Sequence, residues 1–181
     1  MPRYVALLGS VNVGGRRIKM DALRLAFEPL GFANVETYIA SGNVLFTTPS
    51  EDQRALGSSI EARLREAFGY EVPTFVRSGP EMAEVAAHRP FSPADHINPA
   101  NNLYISFLRS NPPSDAESKL KALATEDDEF AVHGRETYWL RRKKISESKI
   151  TPAMFRRAVP VAGTARNAST VRTLAEKCGG V

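Results

Sequence analysis

The chain has 181 residues, 43% of them hydrophobic, and carries 24 basic against 20 acidic side chains, a net charge of +4. That length admits one large domain or two small ones, either with enough apolar content for a core. Its apolar runs fall far short of the ~20 residues needed to cross a bilayer. The opening MPRYVALLG has no cleavable apolar stretch with a small-residue exit site, so a cytoplasmic protein without membrane contact is expected. Cys178 is the single cysteine, which excludes an internal disulfide and a Cys-based zinc site.

The first element expected is a strand over residues 3–8, closed by a turn too rich in Gly for a helix, Gly9 to Gly15. Met20, Leu23, Phe27 and Leu30 then recur at helical spacing, with Gly31 as the stop. Residues 35–39 and 44–48 read as two strands of a hairpin turning at Ser41-Gly42-Asn43. Ser50 with Gln53 reads as a capping box for a helix carrying Leu56, Ile60, Leu64 and Phe68, ended by Gly69, and residues 72–76 form the next strand. The order βαββαβ is the ferredoxin-like arrangement, so an α+β fold is expected with a ferredoxin-like subdomain over 1–78.

Ser78 and Glu81 cap a short helix that ends before Pro90, and residues 89–102, with three prolines, read as connection. The interval 79–102 is therefore a helix followed by a Pro-rich link. A second, smaller α+β subdomain with a basic C-terminal segment is expected over 103–181. In it, residues 103–108 are a strand, Ser114 and Glu117 cap a helix, and 130–133 with 137–140 make a hairpin around Gly134-Arg135. A short helix opens at Thr151-Pro152, and a last helix from about Ser169 turns Val171, Leu174 and Cys178 inward. The halves share an α+β character without a visible residue-level repeat.

The stretch from Val5 to Phe46 resembles the opening of an uncharacterised, mainly bacterial family, domain of unknown function 1697. The marks are Asn12-Val13-Gly14-Gly15, then Met20 and Leu23, then Ser41-Gly42-Asn43-Val44. Later marks are Arg77, Pro90-Phe91, Ser148-Lys149 and Thr164-Ala165-Arg166-Asn167, so the resemblance covers nearly the whole chain. Two positions depart from it. Gly9-Ser10-Val11 stands where members usually have Arg-Gly-Ile, and Ala168-Ser169 stands where Trp and Asn are common. The first removes a cation and the second an aromatic stacking surface. The resemblance implies a fold and brings no established activity.

Charge gives the functional reading. Residues 135–172 hold ten basic and two acidic side chains, a local +8 that leaves −4 for the remainder, as an anion-binding face would. The stronger candidate is the first turn, from Asn12 to Lys19: Gly14 and Gly15 supply exposed amides, and Arg16, Arg17 and Lys19 stand at a helix start, the parts of an anion nest. It lacks the Gly-Lys-Ser/Thr ending of a P-loop and the dinucleotide fingerprint. The competing explanation is a tight turn that needs glycine. Ser41 and Asn43 would add polar groups beside it, although both are common turn formers. Thr164, Arg166, Asn167 and Thr170 would supply donors for a phosphate or carboxylate, or else a polar cap tied to a carboxylate. Lys143, Lys144 and Lys149 read as a solvated loop.

His88, His96 and His133 have no metal-ligand spacing, Asp127-Asp128-Glu129 reads as surface, and no nucleophile-elbow motif is present. No metal and no cofactor are expected. Three functions follow: binding of an anionic ligand, nucleotide or nucleic acid, by a monomer or weak dimer; an enzyme acting on a small phosphorylated or carboxylated metabolite between the halves, with Arg77, Lys149 and Arg166 stabilising charge; or a structural or interaction module. Val44 to Thr48 has only Phe46 as an aromatic, which argues against an RNA-recognition motif.

Overall fold

A computed structural model describes residues 1–11, 14–39, 42–144 and 147–179. Two compact units divide the chain, Met1–Glu84 with Arg172–Val181, and Val85–Val171. Residues 172–181 thus group with the first unit.

In the first unit, strand β1 (Arg3–Leu8) leads through the Gly-rich loop to helix α1 (Met20–Phe27), which a 3-10 turn over Glu28–Leu30 extends to Gly31. Strands β2 (Ala33–Tyr38) and β3 (Asn43–Thr47), helix α2 (Gln53–Phe68) and strand β4 (Thr74–Ser78) follow. The four strands form an antiparallel sheet in the order β2-β3-β1-β4. Side chains alternate across a strand, so Tyr4, Ala6 and Leu8 meet Val44, Phe46 and Val76 on one face. Leu23 and Phe27 of α1 and Leu56, Ile60 and Leu64 of α2 cover that face. Phe46 stacks on Phe32 with ring centroids 4.4 Å apart. The α2 cap differs from expectation: Asp52 rather than Ser50 accepts from the Ala55 amide at 3.0 Å, since only Asp52 sits directly before the first helical residue.

Helix α3 (Gly79–Ala87) begins on the expected box, Ser78 N donating to Glu81 Oε2 at 2.8 Å. In the second unit, the link expected over 89–102 contains a helix, α4 (Pro93–Ile97), whose Ser92 hydroxyl accepts from Asp95 N at 3.1 Å. Strand β5 (Asn102–Leu108), helix α5 (Ala116–Ala122), the hairpin β6 (Asp128–His133) and β7 (Glu136–Arg141), helix α6 (Pro152–Ala158) and strand β8 (Gly163–Asn167) complete the unit. Helix α7 (Ala168–Lys177) ends the chain. Asp115, not Ser114, precedes α5, and it makes no side-chain cap.

The second sheet has the order β6-β7-β5-β8, the same permutation as the first. The repeat that residue identities do not show is thus present in topology, and it reaches single positions. Arg77 of β4 lies across from Val5, and Arg166 of β8 lies across from Ile105. Both are buried at the fourth place of a five-residue strand, and each donates from Nη1 to the preceding residue's carbonyl, at 2.9 and 2.8 Å.

Candidate functional site

The β1–α1 loop has a fixed root. Leu8 N donates to Gly42 O at 2.8 Å and Gly9 N donates to Pro73 O at 2.7 Å, so the neighbouring turns hold it on both sides. Val11 is buried, and a Cβ on Gly42 would stand 2.7 Å from its Cγ2. Ser10 lies in the left-handed region with φ of 57°, a conformation a non-glycine residue holds only when its surroundings impose it. Gly14 and Gly15 follow with φ of 66° and 80°, both exposed and with open space around them.

Beyond the glycines, Ile18 is buried while Arg16, Arg17 and Lys19 are exposed, and Lys19 immediately precedes α1. The Arg16 guanidinium lies 4.3 Å from the centre of the Tyr70 ring, a cation–π contact that orients it. Among the described residues, none of the three cations has a carboxylate partner. Elsewhere in this unit Arg3 and Lys177 share Glu36, Arg24 pairs with Glu28, Arg63 with Glu66 and Arg65 with Glu71. Arg54 and Arg172 are also exposed without a carboxylate partner among the described residues, but each stands singly, whereas Arg16, Arg17 and Lys19 fall within four residues. Asn12 and Ser41 lie outside the described residues. Asn43 is buried, and its Nδ2 donates to Tyr38 O at 2.9 Å, which assigns it to the hairpin.

The C-terminal motif sits in the other unit and is occupied internally. Arg166 is buried and donates from Nη1 to Thr164 Oγ1 at 2.9 Å and to Ala165 O; burial brings its guanidinium down to about 10. Asn167 Oδ1 accepts from Thr170 N at 2.8 Å and from the Ser169 hydroxyl, capping α7. Arg77 is 2% exposed in the first unit, and Lys149 is exposed in the second.

Part of the basic segment is internally neutralised as well. Arg141 faces Asp128, Arg142 bridges Asp95 and Glu129, and Lys143 pairs with Asp127. The acidic run 127–129, expected at the surface, is thus the counter-charge for three cations, with Asp128 buried. Sequence reading missed this because the partners are brought together only by β6–β7 pairing. Lys143 is accordingly paired rather than merely solvated.

Arg142 also ties α4 to the hairpin, since its Nη2 and Nε reach the two Asp95 oxygens at 2.9 and 3.0 Å. These bonds, with one from Ser92, hold the Asp95 carboxyl down to about 2. A carboxyl lowered in the folded state contributes stability above its ordinary value, near 3.9, and loses it as pH falls through the folded value. In Arg142→Ala, the Asp95 carboxyl is expected to titrate close to 4 in a carbon-detected NMR titration. A value still near 2 would assign the shift to Ser92 and Asn101 alone.

The histidines have packing roles. His88 stacks on His133 with centroids 4.2 Å apart, and His96 Nε2 accepts from Phe91 N at 3.2 Å. Burial, then Arg89, lowers His96, which favours the neutral form that can accept this bond. Cys178 is buried, and its thiol is pushed up to about 11, against thiolate chemistry. Among the described residues no three His, Cys, Asp or Glu side chains are grouped to hold a metal, and no helix is long and apolar enough to cross a membrane.

The two four-stranded antiparallel sheets define an α+β protein with a topologically repeated unit. The chain belongs to the family described as protein of unknown function (DUF1697), whose model matches residues 1–138. Its fold is similar to that of the conserved bacterial protein SP0830 from Streptococcus pneumoniae, at a TM-score of 0.77 and 20% identity over 99% of both chains. No curated protein matches the sequence significantly.

Proposed function

We propose that the protein binds an anionic ligand, a nucleotide or nucleic acid, with the β1–α1 loop as the primary contact. The observation that carries this reading is the grouping of Arg16, Arg17 and Lys19, exposed and without carboxylate partners among the described residues, just beyond the open backbone of Gly14 and Gly15. Cations left unneutralised beside accessible amides and a helix start attract phosphate by Coulomb force and by donor geometry together. A ligand at about one hundred times its Kd should stabilise the fold by about 2.7 kcal/mol. Arg16→Ala/Arg17→Ala/Lys19→Ala is expected to fold with an unchanged melting point and to lose at least tenfold in affinity, given ~1.5–3 kcal/mol for each charged hydrogen bond. Thermal-shift measurements with pyrophosphate and mononucleotides read both quantities. An equal shift in native chain and variant would remove the loop from the site.

A second reading applies to Thr164–Asn167. Arg166 spends donors on its own strand and Asn167 caps α7, which supports a structural role for this motif rather than a share in a ligand site.

A further inference from the structure

The second unit holds thirteen basic and nine acidic residues, the whole of the chain's +4, whereas the first unit has eleven of each. Many of those cations are matched internally: Lys119 by Asp115, Lys121 by Glu117, Arg141 by Asp128, Arg142 by Asp95 and Glu129, and Lys143 by Asp127. Four others are not. The side chains of Lys144, Lys149, Arg156 and Arg157 are exposed and, among the described residues, have no ion-pair or hydrogen-bond partner.

The placement of Arg156 and Arg157 follows from α6, with Lys144 and Lys149 in the segment that leads to it. Thr151 caps the helix by accepting from Met154 N at 3.2 Å. Met154, Phe155 and Ala158 then pack with Leu108, Ala116, Leu120 and Phe130. That packing leaves Ala153, Arg156 and Arg157, spaced i, i+3 and i+4, on the solvent face. Lys149 precedes the cap and the arginines close the last turn, so the charges are spread along a seven-residue helix, roughly 10 Å. Glu147 is the only acid from Lys143 to Arg157, and its charge acts on Lys143.

We propose that this face binds a nucleic-acid strand through its phosphodiester backbone, without regard to base sequence. The proposal goes beyond the anion-binding reading of the β1–α1 loop, since it is carried by exposed cations of the second unit and names a polymer as their partner. The chemistry of the face selects this partner. Among the described residues the exposed large apolar side chains, Met1, Leu25, Ile39 and Ile97, all lie outside it, so those residues supply neither the apolar wedge of a membrane-surface helix nor the apolar anchor of a protein hot spot. Trp139 and Phe155 are packed against the core, so among the described residues of this face no aromatic platform is left to stack bases. Cations alone meet phosphates, and such contacts hold a strand without reading it.

The test is fluorescence anisotropy of the full chain with a labelled oligothymidylate of roughly 20 nucleotides and with the labelled mononucleotide, at several salt concentrations. Lys144→Ala/Lys149→Ala/Arg156→Ala/Arg157→Ala removes exposed side chains only, and an unchanged circular dichroism melt checks its fold. Native chain is expected to bind the strand, and this variant to bind at least tenfold more weakly. Its log Kd against log salt slope should be smaller by about 3, from ~0.7 for each phosphate no longer neutralised. Mononucleotide affinity should not change. Unaltered strand affinity and slope in the variant overturn the inference and leave the loop reading intact. Strand binding lost in this variant but untouched by the Arg16/Arg17/Lys19 triple substitution supports the inference and overturns the loop reading. Failure of native chain to bind the strand, with or without capture by phosphatidylserine vesicles, overturns the inference.

Discussion

Asp128→Ala is expected to lower stability by about 3–5 kcal/mol, the usual cost of stripping one partner from a buried ion pair. For a chain of this size that is roughly 10 °C or more in the melting temperature. Asp128 is 3% exposed and Arg141 1% exposed, with Arg141 Nε 3.3 Å from Asp128 Oδ1. The same carboxylate accepts from Trp139 Nε1 at 2.8 Å and from the hydroxyls of Thr125 and Ser148. Without it the guanidinium, already short of a hydrogen-bond partner at Nε and Nη1 among the described residues, would keep only Lys144 O and the Trp139 ring. The loop leading to α6 would also lose its attachment through Ser148. Asp128→Leu/Arg141→Met should be less destabilised than Asp128→Ala, because the penalty lies in the uncompensated charge and not in the missing attraction. Calorimetric melts of the three proteins check the order; a double variant less stable than the single one would contradict it.

Gly42→Ala is the second large effect, expected to cost roughly 2–5 kcal/mol. Its φ of 83° imposes about 1–2 kcal/mol on any L side chain. The new Cβ would also stand 2.7 Å from Val11 Cγ2 and 3.1 Å from Leu8 Cβ, an overpacking worth about 1–3 kcal/mol. Relief must come from Val11, which carries the root of the cationic loop. Urea denaturation should show the stability loss, and phosphate affinity should fall with it. Full stability would show that the hairpin turn and the loop are not packed as described.

Helix and strand order were legible along most of the chain because periodicity and caps are local signals. Ser78 with Glu81, Thr151, and the glycines after Leu30 and Phe68 mark ends that the structure keeps. What stayed hidden depends on pairing. Two sheets with one permutation have little in common residue by residue, since sheet topology constrains which positions are buried and leaves their identities free. Arg77 and Arg166 become equivalent only through strand register. Residues 93–97 looked like a link because prolines dominate the segment, yet Pro93 opens α4 behind the Ser92 cap, and Arg142, 47 positions away, holds it. The same limit split the basic segment. Charge counting treats Arg141 through Lys149 as one face, whereas three-dimensional pairing consumes the first three and leaves Lys144 and Lys149 exposed. In the Gly-rich loop, Arg16, Arg17 and Lys19 are exposed while Ile18 between them turns inward, a pattern set by local polarity.

The proposed function turns on whether that loop holds an anion. The most direct measurement is a titration of 15N-labelled protein with pyrophosphate, followed amide by amide at low salt. The Gly14 and Gly15 resonances, with those of Arg16, Arg17 and Lys19, are expected to move together and saturate on one isotherm, and high salt should abolish the movement. Saturable shifts confined to other parts of the chain, or none at any concentration, would contradict the account and leave the loop a tight turn and nothing more.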